Sequence, residues 1–171
     1  MEKALTSTHP TGHRSIVIDG TTLPEMLNEE MIRAVVHGFY DSIRDDDLIG
    51  PIFNNAIPPK AWPPHLEKMC DFWSSTLLRT GRYGGRPLPP HLIIPDLGEA
   101  HFRRWLFLFH QTVTRLCPPE VVKLFMDRAL RIAQSFRLAI AFNRGESTVT
   151  VAPITIESLS DPHAIGSPKC G

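Results

Sequence analysis

The chain has no surplus of charge, no long apolar run and no paired cysteines, and each absence removes a class of function. Its 18 basic and 18 acidic residues cancel, so it lacks the basic excess of a nucleic-acid-binding surface. No apolar stretch approaches the ~18 residues of a membrane span. The opening MEKALTSTHPTGHRS has no apolar core like that of a secretory leader. The three cysteines, Cys70, Cys117 and Cys170, are odd in number and unpaired in spacing, which predicts a reducing, cytoplasmic setting and no disulfide framework. Among eight histidines there is no H-E-x-x-H, no Cys/His cluster with zinc spacing and no inward Glu-x-x-His pair, so a metal held by protein ligands alone fits poorly. No C-x-x-C-H marks a covalent haem attachment.

What is present is helical periodicity. With 42% hydrophobic and 21% charged residues in a chain of 171, one soluble, monomeric domain is expected. Ile32, Val35, Val36, Phe39, Tyr40 and Ile43 recur on one helical face after the candidate cap Asn28. GPIFNNAIPP reads as a turn-rich connection. A second helix carries Trp62, His65, Met69, Phe72, Trp73, Thr76 and Leu77 inward. A third turns Phe102, Trp105, Leu106, Phe109 and Val113 inward, and a fourth opens at Pro118 and Pro119, since proline is tolerated in a first turn. The prediction is an all-α fold over 23–145, with flexible extensions at 1–22 and 146–171. Within those extensions SIVID and TVTVAPITI are the two stretches able to pair as a β ribbon.

One segment breaks the periodicity. In RPLPPHLIIPDL, Pro87, Pro89, Pro90 and Pro95 frame His91. Proline fixes φ, removes a donor and restrains the residue before it, so at most one short helical turn is expected there. His9, His13 and His163 fall in the extensions, and His37, His101 and His110 read as surface. His65 and His91 remain, each beside apolar neighbours without an acidic partner nearby in sequence. Taken singly, each reads as an ordinary histidine at the core edge. Yet Tyr40, His65 and Trp105 put polar tips on the inward faces of three different helices. Buried polar groups need partners, so this predicts a cavity for something that accepts hydrogen bonds. One histidine among many apolar and aromatic side chains suits haem.

These residues also carry a resemblance. DLIGPIFNNAI, DFWSSTLLRTGRYGGRPLPPHL and FRRWLFLF, in that order between about Ile32 and Asn143, resemble a group III truncated haemoglobin. The resemblance implies a two-over-two helical sandwich around non-covalent haem b. It implies His91 as the proximal iron ligand and Tyr40, His65 and Trp105 as the distal ligand pocket. Phe53, Met69 and Phe72 would pack on the haem, and Lys68 is a candidate partner for a propionate. The implied function is reversible binding of O2, NO or CO. NO dioxygenase or peroxidase-like redox chemistry with a reductase is its enzymatic extension. Two other readings stand beside it: a haem-free sensor or interaction module with a globin-like fold, and a bis-histidyl form in which His65 also binds iron.

Overall fold

The computed structural model describes residues 17, 18 and 21–159; the rest of both extensions, with His9, His13, His163 and Cys170, lies outside the described residues. Two short strands, β1 (Val17–Ile18) and β2 (Thr21–Thr22), pair antiparallel with Val17 opposite Thr22. The sequence allows SIVID a ribbon with TVTVAPITI but favours flexible extensions, and among the described residues Val17–Ile18 pairs with Thr21–Thr22. A neighbour four residues away needs a far smaller loop closure, and Thr148–Thr150 forms a 3-10 turn instead.

Four long helices build the body: α1 (Glu29–Arg44), α3 (Trp62–Leu77), α5 (Glu99–Leu116) and α6 (Pro119–Asn143). Helix α1 packs on α3 and α5 on α6, and the pairs meet through α1 with α5 and α3 with α6. This is the two-over-two arrangement. The N-terminus of α1 is capped as expected, with Asn28 accepting from the Met31 amide at 2.9 Å. None of the six helices among the described residues is long and apolar enough to cross a membrane.

The core is centred on Phe109, which is fully buried. Trp73 and Trp105 lie nearly parallel to it at 4.9 and 5.5 Å, and Phe39 meets it edge-on at 4.9 Å. Each such pair contributes ~0.5–1.5 kcal/mol beyond its buried area.

Where the sequence predicts a connection, GPIFNNA forms a further helix, α2 (Gly50–Ala56). Pro51 is acceptable there because the first turn needs no N–H from it. Gly50 is required by close approach: a Cβ would stand 3.0 Å from the carbonyl oxygens of Ile43 and Arg44. The corner entering α2 is held by Asp46. Its Oδ1 accepts from the Leu48 and Ile49 amides, and its Oδ2 accepts from Arg104 Nε at 2.7 Å. The proline-framed segment forms α4 (Pro89–Leu92). Pro89 and Pro90 occupy its first turn rather than bounding it.

The C-terminal boundary also differs from expectation. The chain beyond 145 was expected to be a flexible tail; residues 147–150 are exposed, but Val151, Ile154, Ile156 and Leu159 are partly or fully buried against the helical body. Arg137 is 7% exposed on α6 and donates to the Gln134 side chain, to Ala152 O at 2.8 Å and to Glu99 Oε2 at 3.1 Å. Gln134 donates to Val151 O, and Ile154 is buried in the core. An arginine inside an apolar helix offers a ready anchor to passing carbonyls, which strand periodicity does not register.

Asp46 supplies a test of the fold. Burial alone would raise its carboxyl pKa, but hydrogen bonds from Ile49, Arg104 and Leu48 hold it below the usual value. A depressed carboxylate contributes its full stability above the unfolded value and loses it as pH falls through the folded one. Asp46→Asn should therefore destabilise the protein by about 3 kcal/mol at pH 7. The difference should shrink below about pH 4, as read by urea unfolding at both pH values.

Candidate functional site

The structure brings Tyr40, Phe53 and His65 into one cluster. Helix α1 carries Tyr40 at the end of its apolar face, and α3 carries His65 one turn from its start. The Tyr40 and His65 rings meet edge-on at 5.3 Å, and Phe53 on α2 meets Tyr40 at 6.0 Å. Trp105 is joined to this cluster through Phe39, which touches Trp105 at 5.5 Å and Tyr40 at 5.2 Å. Met69 and Phe72 follow on α3, both half-buried against the core. Lys68 is exposed on the same helix.

The polar tips here are in unusual states. Burial, with a smaller contribution from Tyr83, pushes the Tyr40 phenol far above its ordinary pKa, so it keeps its proton. Burial, and then the charge of Lys68, lowers the pKa of His65, so its imidazole is neutral near pH 7. His65 Nε2 is buried and has no hydrogen-bond partner. A buried polar atom left unmatched is destabilising, and it points to a ligand.

His91 stands apart from this cluster, on α4 against α6. Its ring lies 4.7 Å from that of Phe136. Its Nδ1 is 2.7 Å from Pro87 O. A carbonyl can only accept, so Nδ1 carries the proton. Burial lowers the ring's pKa more than the Pro87 bond raises it, and the neutral ring then bears an unprotonated lone pair on Nε2. This is the state of a metal-ligating histidine oriented through its other nitrogen. Arg144, the residue that ends α6, holds the chain after His91, donating to Leu97 O at 3.0 Å and Ile94 O at 3.4 Å. Among the described residues no group of three His, Cys, Asp or Glu could hold a bare metal ion. The donor set is one oriented imidazole with half-buried apolar side chains from α2, α3, α4 and α6: Phe53, Met69, Phe72, Leu92 and Phe136. That set fits haem.

All three described histidines read as surface are placed differently. His37 is half-buried, with a buried Nε2 lacking a partner. His101 is half-buried and accepts from the Gly98 amide at 3.1 Å, capping α5; His110 is half-buried too. Three residues of the site escaped the sequence reading as site residues. Trp62 packs edge-on against both Tyr40 and His65; its signal was the i, i+3 spacing to His65. Phe136 lies under His91 and was visible only as part of the α6 stripe. Tyr83 packs on Phe72 at 5.1 Å, and no periodicity marks it. Its loop is tied down by Arg82, which donates to Glu29 at 2.7 Å and Asp71 at 3.0 Å, and by its own amide on Ser75 Oγ.

Comparison with known proteins gives consistent matches. The chain is 36% identical over 115 residues to the group 3 truncated hemoglobin ctb of Campylobacter jejuni, covering 66% of this chain and 91% of that protein. The crystal structure of the group III truncated hemoglobin from Campylobacter jejuni superposes with a TM-score of 0.64 at 36% identity, covering 68% of this chain and 93% of that one. No family model matches the chain.

The unmatched nitrogen of His65 makes a prediction for the haem-free protein. His65→Leu should raise its unfolding free energy by about 1–2 kcal/mol, because it removes a buried atom without a partner. The His65 pKa is lowered by folding from 6.5, so below that pH the unfolded state binds more protons and the histidine costs more. The gain should be larger at pH 5.5 than at pH 7.5 in urea titrations.

Proposed function

The chain belongs to the group III truncated haemoglobins, and on that premise we propose that it holds haem b non-covalently and binds O2, NO or CO reversibly. The observation that carries this reading is the 2.7 Å contact of His91 Nδ1 with Pro87 O, which leaves Nε2 as the ligating atom. When bound, haem supplies an iron centre able to take up a small diatomic molecule.

The chain's own residues divide the remaining work. His91, oriented by Pro87 and backed by Phe136, would hold the haem iron through Nε2. Phe53, Met69 and Phe72 exclude water from the macrocycle, and Lys68 attracts a propionate. Tyr40 keeps its proton and would donate a hydrogen bond to a diatomic ligand held in the pocket. Trp105 can only donate, and its ring is fixed by stacking at 6° to Phe109. His65 is neutral and nearer the start of α3, where it controls passage into the pocket. A protected pocket with two donors favours a partially negative ligand. That makes NO dioxygenation or peroxide reduction, with electrons from a reductase, the enzymatic extension of the same site.

The test begins with colour. Purified protein given haem should develop a Soret band; His91→Gly should lose it and recover part of it with free imidazole. An unchanged spectrum in that variant would sink the axial assignment.

Ligand rates then divide the distal roles. One neutral hydrogen bond contributes about 1 kcal/mol, so Tyr40→Phe should speed O2 release roughly fivefold. Trp105→Phe should do so less, and His65→Leu should act mainly on association. A larger rise in O2 dissociation for His65→Leu than for Tyr40→Phe would make His65 the principal donor.

A further inference from the structure

We propose that Trp62 is a positioning residue of the distal pocket, the wall between that pocket and an outer concavity, and that Arg44 latches it shut. This rests on the haem reading above.

Trp62 opens α3 and is 5% exposed. Its inner face belongs to the ligand pocket. It meets Tyr40 at 6.0 Å and 61°, and His65 at 5.7 Å and 85°, while Tyr40 and His65 meet at 5.3 Å and 90°. The three rings form a closed triangle of edge contacts, so neither polar ring can turn without pressing on the indole. The outer face lines a concavity of about 560 Å³ whose walls include Asp41, Arg44, Asp45 and Asn54. One aromatic ring therefore stands between that concavity and the buried Tyr40, while His65 is half-buried beside it.

Arg44 sits over that ring. Its guanidinium carbon lies 4.8 Å from the Trp62 centroid, within the range of a cation–π contact. The turn that carries it is tied to α2, because Asn54 Nδ2 donates to Arg44 O at 3.1 Å. Pro63 and Pro64 follow Trp62 immediately and fix the backbone φ on that side. Movement of the wall is thus rotation of the indole, and Arg44 opposes it. An exposed cation–π contact biases the closed ring by about two- to fivefold. If the open ring admits ligand, entry rises by the same factor when the contact is lost.

The experiment uses the full chain in two forms. In the haem-loaded protein, CO association after photolysis should rise about two- to fivefold in Arg44→Ala and recover in part in Arg44→Lys. Trp62→Phe should raise it further and also shift the C–O stretching frequency, which reads the positions of Tyr40 and His65; Arg44→Ala should leave that frequency unchanged. In the haem-free protein, the indole N–H of Trp62, identified by its disappearance in Trp62→Phe, should exchange with solvent faster in Arg44→Ala. Wild-type association and exchange in Arg44→Ala overturn the latch. A wild-type C–O frequency in Trp62→Phe overturns the positioning role, and wild-type association in it overturns the wall. Failure of the haem reading is a separate result, since it appears as a missing Soret band before any rate is measured.

Discussion

A long helix cannot run through Pro87, Pro89, Pro90 and Pro95, and the arrangement of the site follows from that constraint. Proline lacks the N–H that a helix interior requires and clashes with the preceding turn. The chain can make only the four residues of α4 there. Phe136 of α6, which lies against this short turn, stays only half-buried. The same prolines hold Pro87 O at hydrogen-bonding distance from His91 Nδ1, so one restriction both leaves Phe136 half-buried and sets the tautomer of the imidazole beside it.

The opposite side of the site is built by rigidity. Phe109 carries Trp105 and Trp73 on its faces and Phe39 at its edge, and Phe39 carries Tyr40. Close-packed aromatic cores resist small displacements. Polar tips attached to such a framework are held at defined positions even without hydrogen-bond partners of their own. The unmatched Nε2 of His65 is the local destabilisation that accompanies this arrangement, and sites poised for a ligand commonly store such strain.

The charged residues are used for assembly. Asp46 with Arg104, Glu29 and Asp71 with Arg82, and Glu99 with Arg137 each join segments distant in sequence. The first pair is largely buried, where a carboxylate and a guanidinium need each other's hydrogen bonds. The other pairs are exposed on one or both partners, and their contribution is to hold loops in place more than to stabilise the whole. Their effect on the site is indirect: Arg104 ties the corner before Phe53, Arg82 the loop bearing Tyr83, and Arg137 with Arg103 the segment 152–158.

By itself the sequence determined the four long helices, their inward faces and the interruption around His91. These follow from local rules: a 3.6-residue period, capping chemistry and the stereochemistry of proline. The pairing of Tyr40 with His65 was legible as two polar tips on inward faces, and the resemblance tied them to one pocket. Helix α2 was not legible, because seven residues with a proline and a glycine carry too weak a period. Only the tertiary structure decided that Trp62 closes the ring around Tyr40 and His65, that Phe136 backs His91, and that Arg137 with Arg103 ties the segment 152–158. Each of these joins segments that no local pattern relates, or depends on where a side chain turns once the helices have packed. Periodicity states which face of a helix is inward; which neighbour it meets is decided by packing in three dimensions.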